Sequence, residues 1–227
     1  MATKRPAGTN LLSDLPDRLA TALLAAATPR HLAADETLFL AGDPGDGLYR
    51  LDEGLLKISI TSASGAERIL AILGPGSIVG DLAIIDGLPR SASVTALREC
   101  KLRFLSRSAF EKFAAAEPAI YKYLLVVMAA RLRDTDAIVA AGSFLPLKGR
   151  VARALLDLSH AFGNDVGKGR IVIRQKVSQS DLAAMAGIAR ENVSRIMNDW
   201  MRAKVVTRLS GYYCLEDSEK LRGEIEI

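Results

Sequence analysis

The stretch Val177 to Val206, VSQSDLAAMAGIARENVSRIMNDWMRAKVV, constrains the fold of this chain more than any other. Leu182, Ala183, Met185 and Ala186 form a short apolar helical face, Gly187 breaks the run, and Val193, Ile196 and Met197 begin a second face at helical spacing. The pattern predicts helix, tight turn, helix. The second helix is expected to open near Ala189. It carries Arg190, Glu191, Asn192, Ser194 and Arg195 in its first two turns, opposite the face that buries Val193, Ile196 and Trp200. A helix fits the major groove of DNA, where a guanidinium donates two bonds to guanine O6 and N7 and a carboxylate accepts from the cytosine N4 amino group. Helix-turn-helix proteins place such residues at the start of the second helix. An ordinary helical hairpin with a solvated charged face satisfies the same local pattern, so the choice falls to the rest of the chain.

Charge distribution favours the nucleic-acid reading. Residues 144 to 215 hold 12 Lys and Arg against 5 Asp and Glu, whereas the remainder holds 18 basic and 21 acidic residues. A basic C-terminal part is the electrostatic footprint of a nucleic-acid binder. At 227 residues, 49% of them apolar, the chain is long enough for two compact domains with cores of their own. Cys100 and Cys214 stand far apart with no Cys/His cluster, which points to reduced thiols rather than a disulfide framework or a metal site. MATKRPAGTN is basic but has no apolar h-region, and the run Tyr123 to Ala130 is too short for a membrane span. A cytoplasmic protein with no membrane segment is expected. No GxSxG, HExxH or Walker pattern is present to carry an enzyme, so catalytic residues are not expected.

Read in order, Leu12, Leu15, Leu19, Leu23 and Leu24 predict a first helix between Leu11 and Ala27. From Glu36 to Phe113 the text becomes short alternating apolar runs separated by GDPGDG, Gly65, Gly74, Gly76 and Gly87, the signature of an antiparallel sandwich or barrel. Within it lies Gly80-Asp81-Leu82-Ala83-Ile84-Ile85-Asp86-Gly87-Leu88-Pro89-Arg90-Ser91-Ala92. Gly80 lets backbone N–H groups approach an anion, Arg90 offers a bidentate fork for phosphate, and Ser91 adds a hydroxyl. The alternative is a loop whose arginine caps a helix or pairs with Asp81 or Asp86.

Beyond Pro118, Tyr121, Leu125, Met128, Leu132, Thr135 and Val139 alternate at spacings of four and three, a coiled-coil seam along which two copies would pair. A helix packed on its own β domain is the alternative. Gly142-Ser143-Phe144-Leu145-Pro146 is expected to break the helix and form a hinge. Leu147 to Phe162 reads as a helix, GNDVGKG as a loop, and Ile171 to Val177 as a strand leading into the helix-turn-helix. Val205 to Arg208 and Tyr212 to Leu215 read as a closing hairpin, either a DNA-contacting wing or a packing element.

The cassette at Gly80, the seam and the Arg190-Glu191…Arg195 segment together resemble the CRP/FNR family of bacterial transcription regulators, over nearly the whole chain from Leu11 to Leu215. The resemblance implies an α+β chain: a jelly-roll-like antiparallel β-roll sensor at 1–117, a dimerisation helix at 118–142, and a winged helix-turn-helix domain at 143–227. It implies a cyclic-nucleotide effector, cyclic AMP or cyclic GMP, held by Gly80, Asp81, Leu82, Ala83, Arg90 and Ser91, with Thr135 and Asp136 at the purine. Asp81 stands where the family has glutamate for the ribose 2′-hydroxyl, and Asp136 stands where it often has serine. The resemblance further implies a homodimer on palindromic double-stranded DNA, read by Ser178, Gln179, Arg190, Glu191, Asn192, Ser194 and Arg195. Arg190 favours TGTGA-type half-sites, although Ser194-Arg195 also resembles the branch that reads TTGAT-type sites. Activation would bring contact with RNA polymerase, and a member that binds DNA without a nucleotide effector, or that senses a different signal, is the alternative. No metal, haem or iron–sulfur cluster is expected: there is no N-terminal cysteine cluster, and His31 and His160 lie outside the cassette.

Overall fold

The fold was analysed on a computed structural model, which describes residues 17–226. The described residues form two compact units, one ending at Arg133 and the other beginning at Asp134. Helix α1 (Asp17–Leu24) is the C-terminal part of the first predicted helix, and residues 11–16 lie outside the described region.

The first unit holds eight strands in two antiparallel sheets. They are β1 (Thr28–Leu32), β2 (Thr37–Phe39), β3 (Gly47–Glu53), β4 (Leu56–Thr61), β5 (Glu67–Leu73), β6 (Ile78–Val79), β7 (Ser93–Ala96) and β8 (Cys100–Ser106). The order is β1-β8-β3-β6 in one sheet and β2-β7-β4-β5 in the other, a jelly roll. Alternation along the strands sends Leu32, Leu51 and Leu102 from one sheet, and Leu56, Leu73, Val94 and Ala96 from the other, into one shared core. A short helix α2 (Asp81–Asp86) interrupts the strand text after β6.

On its outer face the first sheet is covered by helices. Leu48, Ile78 and Leu105 meet Leu19 and Leu23 of α1, Phe110 and Ala114 of α3 (Arg107–Ala116), and Ile120, Leu124 and Val127 of α4 (Ile120–Phe144). The opposite side of α4 leaves Tyr121, Leu125, Leu132 and Val139 exposed, the last three by more than 60% each.

The second unit contains α5 (Leu147–Phe162), β9 (Gly163–Asp165), β10 (Ile171–Ile173), α6 (Gln179–Ala186), α7 (Arg190–Arg202), β11 (Val206–Leu209), β12 (Tyr212–Leu215) and α8 (Ser218–Gly223). Its sheet runs β11-β12-β10-β9. Val151, Leu155 and Leu158 of α5, Leu182 of α6, and Val193, Met197 and Trp200 of α7 are buried.

Three expectations change. Gly142 does not end α4, which continues through Phe144: one glycine costs a helix only about 1 kcal/mol. The stop is Pro146, and Arg150 donates to the freed carbonyls of Gly142 (2.5 Å) and Leu145 (3.1 Å). The GNDVGKG segment is not all loop: Gly163–Asp165 pairs with Ile171–Ile173, and the turn between is closed by Asp165 accepting from the Gly167 N–H at 2.7 Å. The expected strand Ile171 to Val177 stops at Ile173, because Val177 and Ser178 already serve the start of α6.

Candidate effector and nucleic-acid sites

At the cassette, β6 ends on Gly80, whose φ of +82° lets the chain turn at once into α2. A Cβ there would lie 2.2 Å from Arg90 Nη1, so the glycine also makes room for the guanidinium. The Arg90 side chain is only 2% exposed. Nη1 donates to the Gly80 carbonyl at 2.9 Å, Nη2 to Asp46 Oδ1 at 2.5 Å, and the guanidinium carbon lies 4.2 Å from the Phe39 ring centroid. Nε is buried with no hydrogen-bond partner. The Arg90 backbone is fixed on both sides, its N–H bonding Asp43 O and its carbonyl accepting from the Gly42 N–H, each at 2.8 Å.

A second buried charge lies beside it. Asp81 is 3% exposed and accepts from Arg131 Nη1 of α4 at 2.8 Å, while Arg131 Nη2 donates to Ile78 O at 2.8 Å. Arg107 secures the other end of α2: its guanidinium donates to Ala83 O, and its backbone N–H holds the Asp46 carbonyl at 3.0 Å. Burial, and then the neighbouring Asp46 carboxylate, push the Tyr49 hydroxyl above its ordinary pKa, so it stays protonated at neutral pH.

The structure thus brings Gly80, Asp81 and Arg90 together. Ala83 packs under the loop at Gly45, where a Cβ would come within 2.2 Å of its own, while Leu82 and Ser91 face solvent. Arg90 does cap a carbonyl, but its acidic partner is neither Asp81 nor Asp86; Asp86 instead accepts from the Leu88 N–H at 2.9 Å. Sequence reasoning missed Asp46 and Arg131, which reach the cassette from 44 and 50 residues away. The GDPGDG turn was the available signal for the first. Thr135 and Asp136 are exposed on α4, and the seam residue Met128 is half-buried there.

In the second unit Ser178 starts α6 through a reciprocal cap. Its Oγ accepts from the Asp181 N–H at 3.0 Å, and Asp181 Oδ2 accepts from the Ser178 N–H at 2.9 Å. Gly187, at φ +65°, turns the chain into α7. There Arg190, Glu191 and Arg195 are exposed and Asn192 and Ser194 half-buried, with Val193, Ile196, Met197 and Trp200 on the inner side. Arg195 Nη2 donates to Asn192 Oδ1 at 3.1 Å, which aligns the two side chains on the outer face. Gln179 is half-buried in the first turn of α6. The β11–β12 hairpin carries Arg208, which donates to Tyr213 Oη at 2.8 Å and stacks 4.3 Å from its ring centroid.

A jelly roll carrying a buried arginine beside a glycine turn, on the same chain as a winged helix-turn-helix, is the architecture of a DNA-binding transcription regulator. Comparison with known proteins agrees part by part. The profile of the cyclic nucleotide-binding domain matches residues 29–117, and that of the Crp-like helix-turn-helix domain matches residues 149–224. The CRP-like cAMP-activated global transcriptional regulator of Mycobacterium tuberculosis is 35% identical over 194 residues, covering 85% of this chain and 86% of that protein. The cyclic AMP receptor protein of Thermus thermophilus is 34% identical over 161 residues, 71% of each. A solved CRP/FNR-family regulator from Thermus thermophilus superposes with a TM-score of 0.73 at 25% identity, covering 88% of this chain and 99% of that one. The chain belongs to the CRP/FNR family of transcription regulators.

Proposed function

We propose that this regulator is a homodimer gated by a cyclic nucleotide, and that it reads palindromic DNA through Arg190, Glu191 and Arg195 with TGTGA-type half-sites. The observation that carries the effector reading is Arg90. The Arg90 guanidinium is 2% exposed and paired to Asp46, and its buried Nε has no hydrogen-bond partner, a donor that a phosphate oxygen would satisfy. The phosphate would sit on Arg90 beside the Gly80 turn, Asp81 would stand near the ribose, and the resemblance assigns Thr135 and Asp136 to the purine. Dimer formation is supported by the exposed Leu125, Leu132 and Val139 on α4, an apolar stripe at seam spacing. The divisions 1–117, 118–142 and 143–227 remain the proposed functional parts, cytoplasmic and working with RNA polymerase. Among the described residues no single helix is long and apolar enough to cross a membrane.

A second reading has a specific observation behind it. Arg90 and Asp81 are each paired within the chain, to Asp46 and Arg131, which suits a regulator that binds DNA with no nucleotide. Calorimetric titration with cyclic AMP and cyclic GMP, repeated on Arg90→Ala, separates the two. Saturable heat lost in the variant supports nucleotide gating and ranks the bases. No heat from protein that still binds a palindromic TGTGA site supports the second reading.

A further inference from the structure

The Arg90 guanidinium has an occupant with the charge of a phosphate. Asp46 Oδ1 lies 2.5 Å from Nη2, in charge-assisted contact with the nitrogen that a phosphate fork on this arginine would use. The two partners are not equally free to leave. Arg90 is 2% exposed and is locked by the Gly80 carbonyl, the Phe39 ring and two backbone bonds to the Gly42–Asp43 turn. The Asp46 side chain is 62% exposed, whereas its backbone carbonyl is pinned by the Arg107 N–H. Rotation of one side chain into water is therefore enough to vacate the guanidinium.

We propose that Asp46 is an intramolecular stand-in for the effector phosphate, and that it sets the affinity threshold of the sensor by competing for Arg90. This rests on the cyclic-nucleotide reading of the cassette. The exchange is one anion for another. The carboxylate leaves to solvent, a singly charged cyclic phosphodiester takes its place on Nη2 with a second oxygen available to Nε, and the net charge around Arg90 is unchanged. A ligand that cannot place an anion there has nothing to offer in exchange and leaves Asp46 seated. A closed Asp46–Arg90 pair also keeps the buried cation neutralised while the site awaits ligand, where an unpartnered charge would strain the roll. The competition lowers apparent affinity by the fraction of molecules in which the pair is closed.

The test is calorimetric titration of the full-length protein with cyclic AMP in three forms: wild type, Asp46→Asn and Arg90→Ala. Removing the competing charge while keeping the side-chain shape should tighten binding by about two- to fivefold, the range of a partly exposed ion pair. Arg90→Ala should abolish it. Asp46→Asn should also lower the melting temperature of the ligand-free protein, since Arg90 loses its counter-ion, and cyclic AMP should restore more of it than in wild type. Binding by Asp46→Asn where wild type shows none would support the proposal in its strongest form. Unchanged or weaker binding by a folded Asp46→Asn, with wild type still binding through Arg90, overturns the stand-in role and leaves the cassette reading intact. Absence of binding in all three forms overturns both.

Discussion

Replacing Gly80 by alanine separates the two duties this residue performs. The first is conformational: at φ +82° a side-chain-bearing residue costs about 1–2 kcal/mol. The second is steric, because the new Cβ would lie 2.2 Å from Arg90 Nη1 and 3.0 Å from Gly47 O, distances that force Arg90 to move. Moving it breaks the 2.9 Å bond to the Gly80 carbonyl, a hydrogen bond from a charged donor worth about 1.5–3 kcal/mol. Gly80→Ala should therefore cost about 2.5–5 kcal/mol. Gly87 provides the control at the other end of α2. Its φ is +74°, but a Cβ there meets only the tip of Arg107, at 3.6 Å, so Gly87→Ala should cost about 1–2 kcal/mol. Trp200, the single tryptophan, lies in the second unit, so its fluorescence does not report on the jelly roll. Amide hydrogen exchange over β3 and β8 measures the opening free energy of the right sheet. Calorimetry on the same samples should show cyclic AMP binding lost in Gly80→Ala and kept in Gly87→Ala. Equal destabilisation of the two variants within 0.5 kcal/mol, with ligand binding retained in both, would refute the steric part of the reasoning.

Ser178→Ala removes the N-cap of α6 and should cost the helix-turn-helix unit about 1 kcal/mol, measured by urea unfolding with Trp200 fluorescence; an unchanged midpoint would show that the cap is dispensable. Arg190→Ala should cost about 1–3 kcal/mol on a TGTGA-type site and relax discrimination at one base, whereas equal loss on random DNA in the same gel-shift series would assign Arg190 to the phosphate backbone. Leu132→Asp places a charge on a residue 63% exposed in the single chain, so sedimentation at micromolar concentration should show wild type as dimer and the variant as monomer; a variant dimer of unchanged mass would remove α4 from the interface. Glu216 is held below its ordinary carboxylate pKa chiefly by the hydrogen bond from Thr207, 2.6 Å away, with Arg170 adding to it. Its folded pKa being depressed, the stability it contributes is present at neutral pH and lost on acidification. The destabilisation by Thr207→Val should accordingly shrink as pH falls below about 4.5, and a pH-independent difference would mean that Thr207 acts by packing alone.

What was legible in the sequence was local. Gly187 between two apolar faces and the short apolar runs of the closing hairpin each act over a few residues, so the helix-turn-helix and that hairpin could be placed. The jelly roll was legible as a class, because its turns are punctuated by glycine, but not as a strand order. That β1 pairs with β8 is a contact between residues some seventy apart, and nothing local encodes it. Strand β9 escaped because Gly-Asn-Asp has no alternation to reveal: all three residues are exposed and held only by pairing with Ile171–Ile173. The end of α4 was misplaced because glycine and proline were weighed alike, whereas only the proline lacks the N–H the helix needs.

The same limit governs the candidate effector site. Gly80, Asp81 and Arg90 stand within eleven residues of one another, and their spacing is itself the signal. Their ionic partners come from a turn and a helix far along the chain, so only the fold discloses that both charges are answered internally. That disclosure also bears on the short acid at position 81. A carboxylate one methylene nearer the backbone stays buried at the start of α2, and the long Arg131 side chain reaches it from α4 while also capping Ile78 O. The acid therefore ties the cassette to α4 by a bond that exists without ligand. A nucleotide that recruited Asp81 through its ribose would share that carboxylate with Arg131, whose helix also carries the exposed apolar stripe.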